Sequence, residues 1–165
     1  MSRIETIERI LNALLPLRRT SSKQLQAIMR GMDLSLEALS PYIAEPADLP
    51  YGRTCLYRND AAEAVLIHLP PGTETYIHDH GLSVGCARLL EGTLTNRMFR
   101  LEGYGYPCLS GEVEIEEGSY YYAPKKQIHQ LRNSGPQRAV AFHLYAPAPT
   151  GKSYFPYEQV LDYVI

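Results

Sequence analysis

The chain has no tryptophan, only three phenylalanines and three cysteines among its 165 residues, and nowhere gathers charge of one sign or apolar residues into a long run. Each shortage removes a class of protein. Cys55, Cys86 and Cys108 are odd in number and never spaced CxxC, which argues against a disulfide framework and against a thiolate zinc knuckle. Reduced, mostly buried thiols are expected. Lysine and arginine total 16 against 18 acidic residues, a formal charge of −2, and no basic stripe could follow a phosphate backbone or an anionic bilayer. Neither a nucleic-acid nor a membrane partner is expected. No segment reaches the roughly 18 apolar residues of a membrane-spanning helix. The opening MSRIETIERILNALLPLRRT also lacks the continuous apolar stretch and small-residue cleavage site of a secretion signal. A soluble, cytoplasmic chain is the expectation.

What is plentiful is tyrosine, 13 residues, with 12 glycines and 12 prolines, a mixture suited to a turn-rich β protein. At this length one hydrophobic core can close unaided, so a single domain over residues 1–165 is expected. Ile4, Ile7, Ile10, Leu11 and Leu14 recur at helical steps and predict an amphipathic helix that Pro16 helps to stop. A second helix is predicted from a Ser21 or Ser22 cap through Leu25, Ile28 and Met29 to Gly31. A short third one spans Leu36 to Leu39, before Pro41. From about Tyr51 the chain turns to short β-branched and aromatic stretches: TCLYRN, AVLIHL, TYIHDH, CARLLEG, TNRMFRL, VEIEEGSYYYAP, IHQLRN and AVAFHLYAP. About eight such strands predict a sandwich or barrel over 51–150, with the helical segment 1–45 covering one end or face.

Within TYIHDH, His78 and His80 are two residues apart on an apparent strand, so both imidazoles face one way and Asp79 the other. Such a pair supplies two adjacent ligand positions for one ion, with Gly81 leaving room beside it; it equally describes hydrogen-bonded histidines with no ion. His68, in AVLIHL, reads as a half-buried strand residue and not as a ligand.

In order along the chain come Gly72, His78, His80, Gly85 and Gly92, then Gly118, Pro124, Lys126, His129 and Asn133. This series resembles the two motifs of the cupins, which implies a mainly β, jelly-roll-like barrel in which His129 joins His78 and His80 at one pocket. Two positions depart from the pattern. Lys126 stands where the second motif has glycine, and Gly85 stands where many cupins have a metal-binding glutamate. Three neutral imidazoles would leave an ion its full charge and open positions for other ligands.

The segments YGRTCLYRN, YIHDHGLSVGCARLLEG, PKKQIHQLRN and AFHLYAPAP resemble the cysteine dioxygenases of type I, in their bacterial form. The resemblance implies one Fe(2+) per chain on His78, His80 and His129, with L-cysteine and O2 converted to cysteine sulfinate. It places the substrate-carboxylate arginine at Arg58, the active-site tyrosine at Tyr145 and its supporting histidine at His143. A monomer or a homodimer is expected. Arg58 offers the planar donor fork that suits a carboxylate. Arg53 is its rival for that role, and the register of the YRN segment favours Arg58. In the animal enzymes a cysteine crosslinked to the tyrosine occupies the position of Gly85. Cys86, one residue on, should face the other way, so no thioether is expected. Ala141 replaces the serine of the animal enzymes, which implies a hydrogen-bond relay ending at His143 or at water. Three alternatives remain at this point. They are a dioxygenase for 3-mercaptopropionate, whose enzymes typically carry glutamine at the position of Arg58; a cupin that binds metal or ligand without catalysis; and a zinc or nickel isomerase or hydrolase.

Overall fold

The helices form where the sequence marks their ends. The computed structural model describes residues 3–14 and 20–156. Helix α1 (Arg3–Leu14) occupies the first amphipathic segment and buries Ile10; the stop at Pro16 lies outside the described residues. Helix α2 (Ser22–Gly31) opens on a reciprocal cap: the Ser21 hydroxyl accepts from the Gln24 N–H, and Gln24 Oε1 accepts from the Ser21 N–H. Helix α3 (Leu36–Leu39) ends before Pro41 and continues into a 3-10 turn, Ser40–Tyr42, whose early position needs no N–H from proline. No helix among the described residues is long and apolar enough to cross a membrane.

Among the described residues ten strands follow, all pairing antiparallel. They are β1 (Gly52–Arg58), β2 (Glu63–Leu69), β3 (Ile77–His78), β4 (Val84–Glu91), β5 (Leu94–Glu102), β6 (Tyr106–Ile115), β7 (Tyr120–Ala123), β8 (Ile128–Arg132), β9 (Ala139–Ala146) and β10 (Ser153–Tyr154). One sheet has the order β1-β2-β9-β4-β7 and the other β10-β3-β8-β5-β6. The fold is mainly β with N-terminal helices, as expected, but the stretches do not map one to one onto strands. VEIEEGSYYYAP holds a reversal: the Ser119 N–H donates to the Glu116 carbonyl, and Gly118 sits at φ +83° between β6 and β7. Two-residue β10 exists only through its pairing with β3 and has no sequence pattern of its own.

Strands β2 and β9 are buried along their whole length because both their faces are covered. Ala64, Leu66, Val140, Phe142 and Leu144 pack with Ile10, Leu25, Met29 and Leu39 under the helices. Val65, Ile67, Leu69, Ala139 and Ala141 pack with Leu89, Leu94 and Leu131 between the sheets. Double coverage explains why these strands read as continuous apolar runs instead of alternating. His68, on the helix-facing side of β2, is buried and engages the Ala44 carbonyl through Nδ1 at 2.9 Å, so it is a structural residue and is more enclosed than expected. The thiols depart from expectation too: Cys86 is buried, Cys108 half-buried and Cys55 exposed.

Along the interior face of β9, small apolar residues give way to polar ones. Ala139 and Ala141 precede His143 and Tyr145, and Glu63 lies directly across from Tyr145 on β2. At that end the space between the sheets becomes a cavity.

Candidate metal centre

The three histidines converge, though not for the reason the spacing suggests. His78 ends the two-residue strand β3 and pairs directly across from His129 of β8, which puts their rings side by side at 4.8 Å between centroids. His80 is not on a strand. It lies in the loop entering the turn at Gly81, so alternation along a strand does not orient it. Its place comes from the hydrogen bonds around Asp79, whose N–H donates to the Lys152 carbonyl while its carboxylate accepts from the Gly81 N–H and the Tyr154 hydroxyl. With the backbone pinned there, His80 turns inward and its ring centroid stands 4.8 Å from that of His78 and 5.0 Å from that of His129. Gly81 is required by this turn, at φ +63°, and a Cβ on it would lie 3.0 Å from Thr150 Oγ1, so it does not open space beside the histidines.

The proton positions follow from the partners. His78 Nδ1 is 2.7 Å from the Tyr76 carbonyl oxygen, and His129 Nδ1 is 2.9 Å from Asn96 Oδ1; both partners accept, so both Nδ1 atoms carry hydrogen and both Nε2 atoms present lone pairs. Desolvation lowers all three imidazole pKa values, His80 to about 3, with His78 adding to the effect at His80 and at His129. Neutral imidazole is the ligating form. Buried His129 Nε2 has no hydrogen-bond partner, and the Nε2 atoms of His78 and His80 stand 3.1 Å apart. Two nitrogens each about 2.1 Å from a shared ion, at a near-right angle, stand about 3 Å apart. All three ligand atoms lie within 4.8 Å of one another, so the donor set fits a single cation.

The triad lines one side of a cavity of about 430 Å³; Arg53, Arg58, Glu63 and Tyr145 line it as well, with Val65, Ile67 and Leu131 as apolar wall and Pro149, Gly151, Lys152 and Ser153 at its edge. Arg53 and Arg58 are five residues apart and would face opposite ways on a regular strand. A bulge between Cys55 and Tyr57 restores them to one face, opposite Ile67 and Glu63 respectively. Both then donate to the same atom: Glu63 Oε1 accepts from Arg53 Nη2 and from Arg58 Nη1, each at 2.9 Å. Glu63 is 1% exposed and its Oε2 has no hydrogen-bond partner. Two guanidinium groups on one carboxylate leave this wall with a net positive charge. The register argument that prefers Arg58 to Arg53 therefore loses its force, since both arginines reach the cavity.

A family model described as cysteine dioxygenase type I matches residues 9–155. The chain belongs to the cysteine dioxygenase type I family. The match supports an oxygenase-type enzyme acting on small thiols. Solved structures agree on the fold. A conserved protein with a double-stranded β-helix domain from Klebsiella pneumoniae is 19% identical, with TM-score 0.55 over 71% of this chain and 94% of its own. A Thermus thermophilus protein is 22% identical, with TM-score 0.55 over 67% and 95%. An RmlC-like cupin from Shewanella frigidimarina is 18% identical, with TM-score 0.50 over 66% and 86%. The fold is a cupin barrel.

Within this family, the chain departs from the animal pattern in ways the structure explains. A Cβ on Gly85 would lie 3.0 Å from Tyr145 Cε1 and 3.3 Å from the Ala123 Cβ, so glycine is what lets the tyrosine ring rest against β4. Cys86 points to the helix-facing cluster, away from Tyr145, and burial pushes its thiol up to about 12. Lys126 takes the left-handed conformation at φ +61° where cupins have glycine, and the turn persists, with the Lys126 N–H donating to the Gly81 carbonyl. The relay does not end at His143 or at water, as Ala141 suggests. His143 Nδ1 is 3.0 Å from Tyr145 Oη, and its Nε2 is 3.0 Å from Tyr121 Oη. Sequence reasoning overlooks Tyr121, Glu63 and Asn96. Only the last carries a sequence signal, as a polar side chain within the strand stretch TNRMFRL.

Proposed function

We propose that the protein is an iron-dependent thiol dioxygenase that oxidises L-cysteine to cysteine sulfinate. Both atoms of O2 are added to sulfur, so two S–O bonds form, the O–O bond breaks, and no outside reductant is needed. The observation that carries this reading is a three-histidine wall and a two-arginine wall facing one cavity, which suits a small molecule bearing a thiol and one carboxylate. A ferrous ion on His78, His80 and His129 would supply the activation of O2 beside a coordinated thiolate. The side chains do the rest. Arg58, with Arg53 beside it, binds the substrate carboxylate, and Glu63 holds the two guanidinium groups at fixed spacing. Tyr145 sets a hydroxyl over the triad, its ring 4.6 Å from that of His80, and His143 directs that hydroxyl.

The test is anaerobic loading with Fe(II), followed by oxygen uptake and mass spectrometry of the product. Expected is stoichiometric O2 consumption with L-cysteine and a product two oxygens heavier. Preferred turnover of 3-mercaptopropionate would keep the dioxygenase and replace the substrate. Activity only with zinc or nickel, or no oxidation of either thiol, would remove the reading altogether.

A further inference from the structure

His143 is held from two sides by hydroxyls that reach it from different strands. Tyr145 shares β9 with it, while Tyr121 comes from β7, beyond β4. A neutral imidazole has one N–H and one lone pair, so one of these phenols accepts from it and the other donates to it. Burial, with His80 and His78 adding to it, holds the His143 pKa at about 3 and the ring neutral.

The surroundings of the two phenols differ, and that difference decides the direction. Tyr145 borders the cavity of about 430 Å³, where a further group can take its proton. Tyr121 does not line that cavity; it borders a void of about 10 Å³ that Gly85, Ala87, Ala123 and the far side of Tyr145 also line, and His143 is the one hydrogen-bond partner of its hydroxyl among the described residues. The Tyr121 ring is half-buried but its hydroxyl end is enclosed, so were Tyr121 the acceptor its own O–H would find no protein group to donate to among the described residues. That penalty biases against the arrangement by on the order of ten- to a hundredfold.

We propose that Tyr121 is a positioning residue that sets the tautomer of His143: Tyr121 donates to Nε2, His143 donates from Nδ1 to Tyr145 Oη, and the Tyr145 hydroxyl hydrogen is turned into the cavity toward the histidine triad. A hydroxyl whose oxygen already accepts from an N–H is the stronger donor, because linked hydrogen bonds polarise one another. The catalytic consequence rests on the thiol-dioxygenase reading, whereas the tautomer does not.

Nitrogen-15 NMR of the metal-free protein, labelled at histidine, reads the tautomer directly, since protonated and bare ring nitrogens resonate far apart. His143 is identified by the signals that vanish in His143→Gln. A protonated Nδ1 and a bare Nε2 are expected, and the reverse pattern overturns the proposal. The wild-type spectrum decides this even if a Tyr121 variant fails to fold. In Tyr121→Phe the His143 Nε2 signal is expected to move while those of His78, His80 and His129 hold; an unmoved signal is again fatal. In the iron-loaded enzyme Tyr121→Phe is expected to lower kcat about tenfold, the loss of one hydrogen bond, at unchanged KM and metal content. A change confined to metal content or KM would show Tyr121 to be structural only. If the wild type shows the expected tautomer but oxidises no thiol, the tautomer assignment stands and the dioxygenase reading falls.

Discussion

At the scale of single residues, the proposed function divides the site into groups that would touch substrate or metal and groups that aim them. On that reading Arg58 belongs to the first. Its side chain is 50% exposed, and in Arg58→Ala the buried Glu63 carboxylate keeps its ion pair with Arg53, which limits the cost to the fold. Metal content should be unchanged while KM for L-cysteine rises on the order of ten- to a hundredfold, the worth of one charge-assisted hydrogen-bonded contact. Kinetics indistinguishable from wild type would take the carboxylate role from Arg58, and Arg53 would inherit it. Asn96 belongs to the second group, because its Oδ1 holds the N–H of His129 and so keeps Nε2 turned inward. Asn96→Ala should weaken metal binding roughly 10- to 100-fold with the ligands intact, as removal of a group that orients a ligating histidine does. Titration of the metal-free variant with Fe(II) would measure it. His129→Ala, by contrast, should lose metal and turnover together.

At the scale of elements, the segment from Pro149 to Ser153 is a strap across the cavity, and it is tied down through Asp79. Gly151 is where strap and loop meet most closely: a Cβ there would fall 1.8 Å from the Asp79 carbonyl oxygen, closer than any relaxation of a side chain could accommodate. Gly151→Ala should lift the strap, at a stability cost of about 1–3 kcal/mol from overpacking. It should raise the KM for cysteine, since Pro149 would leave Arg58, while His78 and His129 keep their cross-strand pairing. Thermal unfolding and steady-state kinetics on one preparation would check both. The same strap shows where sequence reasoning runs short. The stretch TYIHDH has the composition of a strand, and alternation accounts for His78. The chain leaves the sheet directly after it, and His80 faces inward only because a segment more than 70 residues away fixes Asp79. Helix α2 had no such difficulty, because its cap and its end are written in neighbouring residues. The bulge in β1 is a further limit: one extra residue reverses the facing of Arg58, and nothing in YGRTCLYRN marks it.

At the scale of the whole molecule, four inward-facing imidazoles are held neutral by burial. His80 and His143 lie at about 3, His129 well below its ordinary value, and His78 is lowered. In the unfolded chain each titrates near 6.5. Below that pH the unfolded state binds protons that the native state does not, so native stability falls with pH. The contribution is complete above pH ~6.5 and is lost progressively as pH drops toward 3. The urea midpoint of the metal-free protein should therefore decline steadily between pH 7 and 5. A flat profile would mean that these histidines take up protons in the fold as readily as in the unfolded chain, so that burial does not hold them neutral. Bound metal should add to the slope, because protons compete for the same nitrogens.

What the sequence by itself determined was the mainly β character, the helices ahead of the strands and the pair His78 and His80, which follow from residue type and spacing and are local. His129, Arg58, Tyr145 and His143 entered as what the resemblance to a family implies. Only the tertiary structure decided which nitrogen of each ring faces inward, that Arg53 shares a carboxylate with Arg58, and that Tyr121 meets His143. These depend on strand register, on one bulge and on the tie between strap and loop. Register is set by the packing of both sheets at once, because a slip of one residue would turn every side chain of a strand to the opposite face.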